Sequence, residues 1–175
     1  MTRNPWQAEP ARILGPIPPQ ALPEAARLWR GHFGGHFGGR LTGRGGYDPT
    51  RGLVALDGRD RVLGVMGLRD AQGGFWRQDG GWRDWLYRPA PPTGDLVIDG
   101  ITVIDRRMGL GRALVQGALA LAGQGGFAGL RAEVRSSNPG ALDFYRALGF
   151  GLECRGRYGL PWWGQVHVLH RDIAP

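Results

Sequence analysis

The sequence predicts an α/β or α+β domain built on one central sheet, with elements in the order β-α-β-β-β-α-β-α-β-β. Three observations carry that expectation. Short β-branched runs alternate with segments of helical periodicity. Asp57-Gly58 stands as a hairpin signal between two apolar runs. Finally, 42% of the 175 residues are hydrophobic, so the chain can bury a core although Gly and Pro make up about a quarter of it. A chain of this length fits one domain, residues 1–175, able to bury roughly 70% of its unfolded surface.

Each element has its own signal. Residues 11–17, ARILGPI, read as a first strand stopped by Pro18-Pro19. From Gln20 to Arg30, the residues Leu22, Ala25, Ala26, Leu28 and Trp29 fall on one helical face. That pattern breaks at residues 31–40, GHFGGHFGGR, which predict a mobile loop because each Gly costs ~1 kcal/mol against Ala in a helix. Leu53–Leu56 and Arg61–Leu68 are the hairpin strands. Residues 71–94 form a long connection containing Trp76, Trp82, Trp85 and Tyr87, of a length that is usually functional. Asp95–Val103, DLVIDGITV, reads as a strand on which Asp95, Val97, Asp99 and Ile101 share a face by period two. RALVQGALALAG is an amphipathic helix ending near Gly123, and Leu130–Val134 is another strand. Asn138–Leu148 is a helix with Pro139 in its first turn and Gly149 as its stop. Gly151–Tyr158 and Gln165–His170 are late strands around the turn GLPWWG.

Charge and composition exclude some functions. All 22 cationic side chains are Arg, and the net charge of +7 invites a nucleic-acid reading. The distribution argues against it. Residues 1–88 hold 13 Arg and 8 acids, residues 89–175 hold 9 and 7, and many Arg adjoin an acid (Arg59-Asp60-Arg61, Arg69-Asp70, Arg83-Asp84). A basic enzyme surface, with no nucleic-acid partner, is the expectation. No apolar run approaches the ~18 residues of a membrane span, so no membrane partner is expected. The opening MTRNPWQAEPARILGP lacks a signal core, and the lone Cys154 has no internal disulfide partner. A cytoplasmic location follows as an expectation. His32 and His36, four apart, would suit a metal on a helix, but the glycines favour a loop, so no metal site is expected. His167 and His170 fall on opposite strand faces.

The segment Arg106-Arg107-Met108-Gly109-Leu110-Gly111 stands between a strand and a helix. Its glycines admit close backbone approach, and the helix start directs free N–H groups and positive dipole charge at the same point. This physics predicts a phosphate or pyrophosphate site. The segment is not a P-loop, which would need a Lys, and it lacks the third Gly of G-x-G-x-x-G.

In context, R-x-x-G-x-G resembles the acyl-CoA-binding motif of the GNAT N-acetyltransferase superfamily. Starting 27 residues after Gly111, Asn138-Pro-Gly-Ala-Leu-Asp-Phe-Tyr145-Arg-Ala-Leu-Gly149-Phe150 resembles that family's second hallmark, N-x-x-A-x-x-F-Y-x-x-x-G-F. The core motifs span residues 95–150, and the first 50 residues match only in element order. The resemblance implies a mixed, mostly antiparallel sheet flanked by helices. It also implies transfer of an acetyl group from acetyl-CoA, as cosubstrate, to a primary amine by direct attack in a ternary complex. A small-molecule amine, an amino-acid-like compound or an antibiotic is the expected acceptor. A protein lysine or N-terminus, or an acyl-CoA sensor without turnover, are the alternatives. A homodimer is an arrangement common in such families.

The resemblance also assigns roles. The backbone of Arg107, Met108, Gly109, Gly111 and Arg112 is expected to cradle the CoA pyrophosphate, with the Arg106 and Arg107 side chains attracting phosphate. Backbone groups of Ile101 and Val103 would pair with the pantetheine arm, and an N–H near Ile101 would polarise the thioester carbonyl. Asn138 would hydrogen-bond the pantetheine or phosphate region. Tyr145 would protonate the departing thiolate. The base is open among Asp95, Asp99 and Glu133. Aromatic residues at 75–87 and Trp162-Trp163 would wall an apolar or cationic acceptor, or simply shield the sheet.

Overall fold

Alternating apolar residues build a sheet first, and the helices cover its two faces. The computed structural model describes residues 11–34, 46–76 and 85–173. Eight strands form one sheet: β1 (Arg12–Leu14), β2 (Gly52–Leu56), β3 (Val62–Asp70), β4 (Gly73–Gly74), β5 (Leu96–Val103), β6 (Gly129–Arg135), β7 (Gly151–Gly156) and β8 (Val166–Asp172). Their order across the sheet is β1-β2-β3-β5-β6-β8-β7, with β4 beside β3. Among the described residues, β5–β6 is the one parallel pair and the rest are antiparallel. The helices are α1 (Leu22–Trp29), α2 (Leu110–Gln124) and α3 (Pro139–Ala147). The expected order holds, with β4 as an addition.

Alternation along the strands creates two cores. On one face α2 buries Leu110, Leu114, Val115, Ala118 and Ala122 against Leu96, Ile98, Leu130 and Ala132, joined by Tyr145 of α3. On the other, Ala25 and Trp29 of α1 pack with Val54, Val65 and Phe75. Gly67 of β3 and Gly100 of β5 are cross-strand partners on that second face. A Cβ on Gly67 would come within 2.7 Å of Trp29, and one on Gly100 within 2.5 Å of Phe33. The two glycines are therefore a notch for aromatic rings, and not the turn material their abundance suggests.

That notch overrides the predicted loop after α1. Arg30–Gly34 continues as a π-helical turn, with Trp29 and Phe33 rings 4.4 Å apart. Burial of two rings outweighs the glycine cost there. The rest of the predicted loop, His36 included, lies outside the described residues, as does Trp82.

Two further expectations change. In the hairpin, Asp57 Oδ1 accepts from the N–H groups of Arg59 and Arg61, and the left-handed residue is Asp60 (φ 61°), not Gly58. In β5 the period-two face is broken. Gly67 pairs with Gly100 and Leu68 with Ile98, so Asp99 is an extra, bulged residue. Beyond it, Ile101 and Val103 pack against the α2 core with Leu96 and Ile98. Unbroken alternation would have placed Ile101 on the face of Asp99.

The notch makes a stability prediction. Gly100→Ala should overpack Phe33 and Trp29 and cost about 1–3 kcal/mol, or roughly 3–10 °C in Tm for a chain of this size. Gly31→Ala, where a Cβ meets nothing within 4 Å, should leave Tm within about a degree or raise it. Equal melting of the two variants in a thermal scan would refute the notch.

Candidate active site

The β5–β6 ladder stops at the Ile98–Ala132 pair, although β5 runs on to Val103 and β6 to Arg135. β3 holds the outer edge of β5 as far as Val103, and β8 holds β6 as far as Arg135. The result is a slot in the sheet. Ile104 donates its N–H to Leu63 O at 2.9 Å, toward β3. Successive residues on a strand present their backbone groups to opposite edges. Thr102 therefore also faces β3, and Ile101 and Val103 present theirs to the slot.

The head of the slot is the start of α2. Asp105 Oδ1 accepts the Arg107 N–H at 2.9 Å and closes a 3-10 turn over Arg106–Met108. That engages the Arg107 amide, which the motif reading had placed among the free donors. Gly109 then adopts φ 70°, a left-handed conformation that costs a residue with Cβ about 1–2 kcal/mol. No side chain caps α2. The amides of Leu110, Gly111 and Arg112 have no intrahelical acceptor, and Ala113 is the first to bond, to Gly109 O. Arg106, Arg107, Met108 and Arg112 are exposed around these donors. A Cβ on Gly111 would stand 3.2 Å from the Phe144 ring, so this glycine lets α3 approach α2 and joins the two sequence motifs.

Asn138 caps α3, its Oδ1 accepting from Ala141 N at 3.1 Å, which leaves its amide NH2 as the group able to reach a ligand. Tyr145 is buried between the rings of Phe144 and Phe150, each 5.2 Å away. Its hydroxyl has no hydrogen-bond partner among the described residues. Burial raises its pKa well above the ordinary value, so it keeps its proton at neutral pH.

The carboxylates lie on the other face. Asp99 and Glu133 flank the fork where β5 and β6 part. Arg69 of β3 links them, with Nε donating to Asp99 Oδ1 and Nη2 to Glu133 Oε1, both at 2.7 Å. The Asp99 side chain is 24% exposed. Burial, reinforced by the charge of Glu133 and opposed by Arg69, lifts its pKa to about 6. Asp95 is not brought to this fork. It sits at the start of β5, accepting from Thr93 Oγ1 at 2.8 Å and facing His170 Nε2 at 3.4 Å.

A strap formed by residues 85–94 crosses the carboxylate face. Arg88 and Gly159 exchange two backbone hydrogen bonds of 3.0 and 2.6 Å. Arg131, only 2% exposed, makes a two-pronged ion pair with Glu153 and donates Nη1 to Pro91 O at 2.6 Å. Tyr87 meets Trp163 edge-on at 6.0 Å, and the Arg135 guanidinium lies 5.6 Å over the Trp163 ring. Burial and the charges of Glu133 and Asp99 raise the Tyr87 pKa, against the pull of Arg69. Arg69 and Arg135 carry no motif of their own, and sequence reasoning missed both. Cys154 is half-buried, 3.8 Å from the Tyr158 hydroxyl. Among the described residues, no three His, Cys, Asp or Glu cluster as metal ligands, and no helix is long and apolar enough to cross a membrane.

A slotted sheet headed by free helix amides, with a phenol on one face and carboxylates on the other, defines an acyl-CoA-dependent acetyltransferase. The family model for the acetyltransferase (GNAT) family matches residues 22–150, and the chain belongs to that family. Solved structures share the fold. Ard1 from Thermoplasma volcanium is 18% identical, covering 95% of this chain and 99% of its own, with a TM-score of 0.62. A GCN5-related N-acetyltransferase from Kribbella flavida is 21% identical, covering 94% and 99%, with a TM-score of 0.61. Arabidopsis thaliana NAA60, solved in complex with acetyl-CoA, is 14% identical, covering 93% and 98%, with a TM-score of 0.57. No curated protein matches the chain.

The raised pKa of Asp99 sets a sign. Its folded value lies above the ordinary 3.8, so its stabilising contribution is complete below pH 3.8 and is lost as pH rises through about 6. As a base it is competent only above that value. kcat/KM should therefore fall on the acid side of about pH 6. Asp99→Asn should abolish that limb and slow turnover by about 10²–10⁴-fold, with no loss of Tm at pH 8. A limb that survives the substitution would assign the base elsewhere.

Proposed function

We propose that this acetyltransferase uses acetyl-CoA to acetylate the primary amine of a small molecule, with Asp99 as base and Tyr145 as acid. The observation that carries the reading is the slot, with Asp99 and Glu133 on one face and the Tyr145 hydroxyl on the other. Acceptor and donor can then meet from opposite sides of the sheet. The residues at its head fit acetyl-CoA. The free amides of Leu110, Gly111 and Arg112 and the Arg106 and Arg112 side chains suit its pyrophosphate. The slot-facing backbone groups of Ile101 and Val103 suit its pantetheine amides, and the Asn138 NH2 is a further donor. When bound, acetyl-CoA supplies a thioester carbonyl open to an amine and a thiolate as leaving group.

The chain's own groups manage the protons. Asp99 takes one proton from the incoming ammonium and passes it to solvent, leaving a neutral amine to form the C–N bond; it then takes the second N–H proton from the nitrogen made positive by that bond. Tyr145 Oη gives one to the sulfur as the C–S bond breaks, and solvent restores both groups. The slot-facing N–H of Ile101 is aimed at oxygen charge developing on the carbonyl. The strap supports a small acceptor. It is tied to Gly159 and Arg131, narrows the approach to Asp99, and favours a compact amine over an extended chain.

Acetyl-CoA at about a hundred times its Kd should raise Tm by roughly 5–10 °C, since a ligand of the native state stabilises it by mass action. Tyr145→Phe should keep that shift and the stability, because the hydroxyl has no partner to lose, while kcat falls by about 10²-fold or more. Undiminished turnover in Tyr145→Phe would remove its acid role. Thiol release across a panel of small amines tests the acceptor class, and silence toward all of them with steady turnover of peptides would overturn it.

A further inference from the structure

The acceptor face carries a cation that neither the fold nor the proton transfers require. Arg135 ends β6, is exposed, and has no acidic partner among the described residues. Its guanidinium is held over the Trp163 ring at 5.6 Å. Glu133 lies two residues earlier on the same strand and therefore on the same face. Two positions along a strand separate the Cα atoms by about 6.6 Å. One strand thus offers an anion and a cation to whatever lies above it, with the Tyr87 and Trp163 rings forming the wall between strap and sheet.

We infer that the acceptor is a zwitterion, an α-amino acid or close analogue. Its ammonium would lie toward Asp99 and Glu133, its carboxylate on Arg135, and its side chain against Tyr87 and Trp163. This rests on the acceptor site proposed above and narrows it. Arg69 already donates Nε to Asp99 and Nη2 to Glu133, so two carboxylates neutralise its charge and it offers little to a third. Arg131 cannot either, being buried and paired with Glu153. The Arg135 side chain has neither an ion pair nor a hydrogen bond among the described residues and stands on the same strand face as Glu133, and Arg suits two-pronged carboxylate binding. The ammonium is drawn by a cluster whose two carboxylates face one guanidinium. A peptide N-terminus has no carboxylate at that distance from its amine, so the arrangement discriminates against it.

The experiment compares an aromatic or aliphatic α-amino acid with its carboxamide and with the corresponding simple amine, by thiol release from acetyl-CoA. The free acid should be favoured over the carboxamide by about tenfold or more in kcat/KM, mostly through KM. Arg135→Ala should bring the ratio close to one, and Arg135→Lys should restore part of it. The acetyl-CoA-induced Tm shift checks that each variant is folded. A wild-type enzyme that takes carboxamide and acid equally, or a preference that survives Arg135→Ala, would overturn the inference. Turnover of simple amines alone would overturn it and leave the proposed function standing. Silence toward every amine, with the acetyl-CoA shift intact, would overturn both.

Discussion

The hydrogen-bond ladder that β5 and β6 do not complete governs this molecule. Two adjacent strands that run past their last pair leave backbone donors and acceptors facing each other across a slot, and such groups need partners. The slot stays open because each strand is held from outside, β5 by β3 and β6 by β8. The bulge at Asp99 lies at the branching point and sets the direction of everything beyond it. It turns Ile101 and Val103 toward the α2 core and leaves Asp99 facing the strap. The ring-filled notch at Gly67 and Gly100 braces β3 against β5 on one side. The Gly111–Phe144 approach braces α2 against α3 on the other.

Electrostatic design follows the same division. The α2 side offers neutral donors, helix amides and a buried phenol, with exposed Arg residues only at the rim. The strap side concentrates formal charge. Alone at the fork, the charge of Glu133 would drive the Asp99 pKa upward. Arg69, donating to both carboxylates, opposes that rise, and burial outweighs it to leave the Asp99 pKa at about 6. The guanidinium thereby tunes Asp99, the base of the proposed reaction.

Much of this was legible in the chain. The strand–glycine–helix segment and the Asn138–Phe150 segment carried the family resemblance, and the caps at Asn138 and Gly149 fall where the residue types place them. What was not legible depends on partners far away in sequence. DLVIDGITV alternates without a break, and nothing local marks Asp99 as the extra residue, because the bulge is defined against Gly67 and Leu68 of β3. Arg69-Asp70 looked like a local pair. On a strand those neighbours point apart, so Arg69 reaches Asp99 and Glu133 while Asp70 pairs with Arg51. Asp60, flanked by two arginines, instead pairs with Arg12. The aromatic wall was visible as Trp-rich loops, but the pairing of Tyr87 with Trp163 required the Arg88–Gly159 bridge.

The ion pair between Arg131 and Glu153 reaches beyond the strap. Glu153 is the bulged residue of β7, which shifts register between Leu152 and Cys154 and forms one margin of the sheet. A free strand margin is a template for adding another strand and, repeated, for fibrous aggregation. Here the kink of the bulge interrupts the row of free amides, and Arg155 and Arg157 add charge along it. The opposite margin, β1, is three residues long and is followed by Pro16, Pro18 and Pro19. Both ends of the sheet are thus poor sites for strand-to-strand self-association.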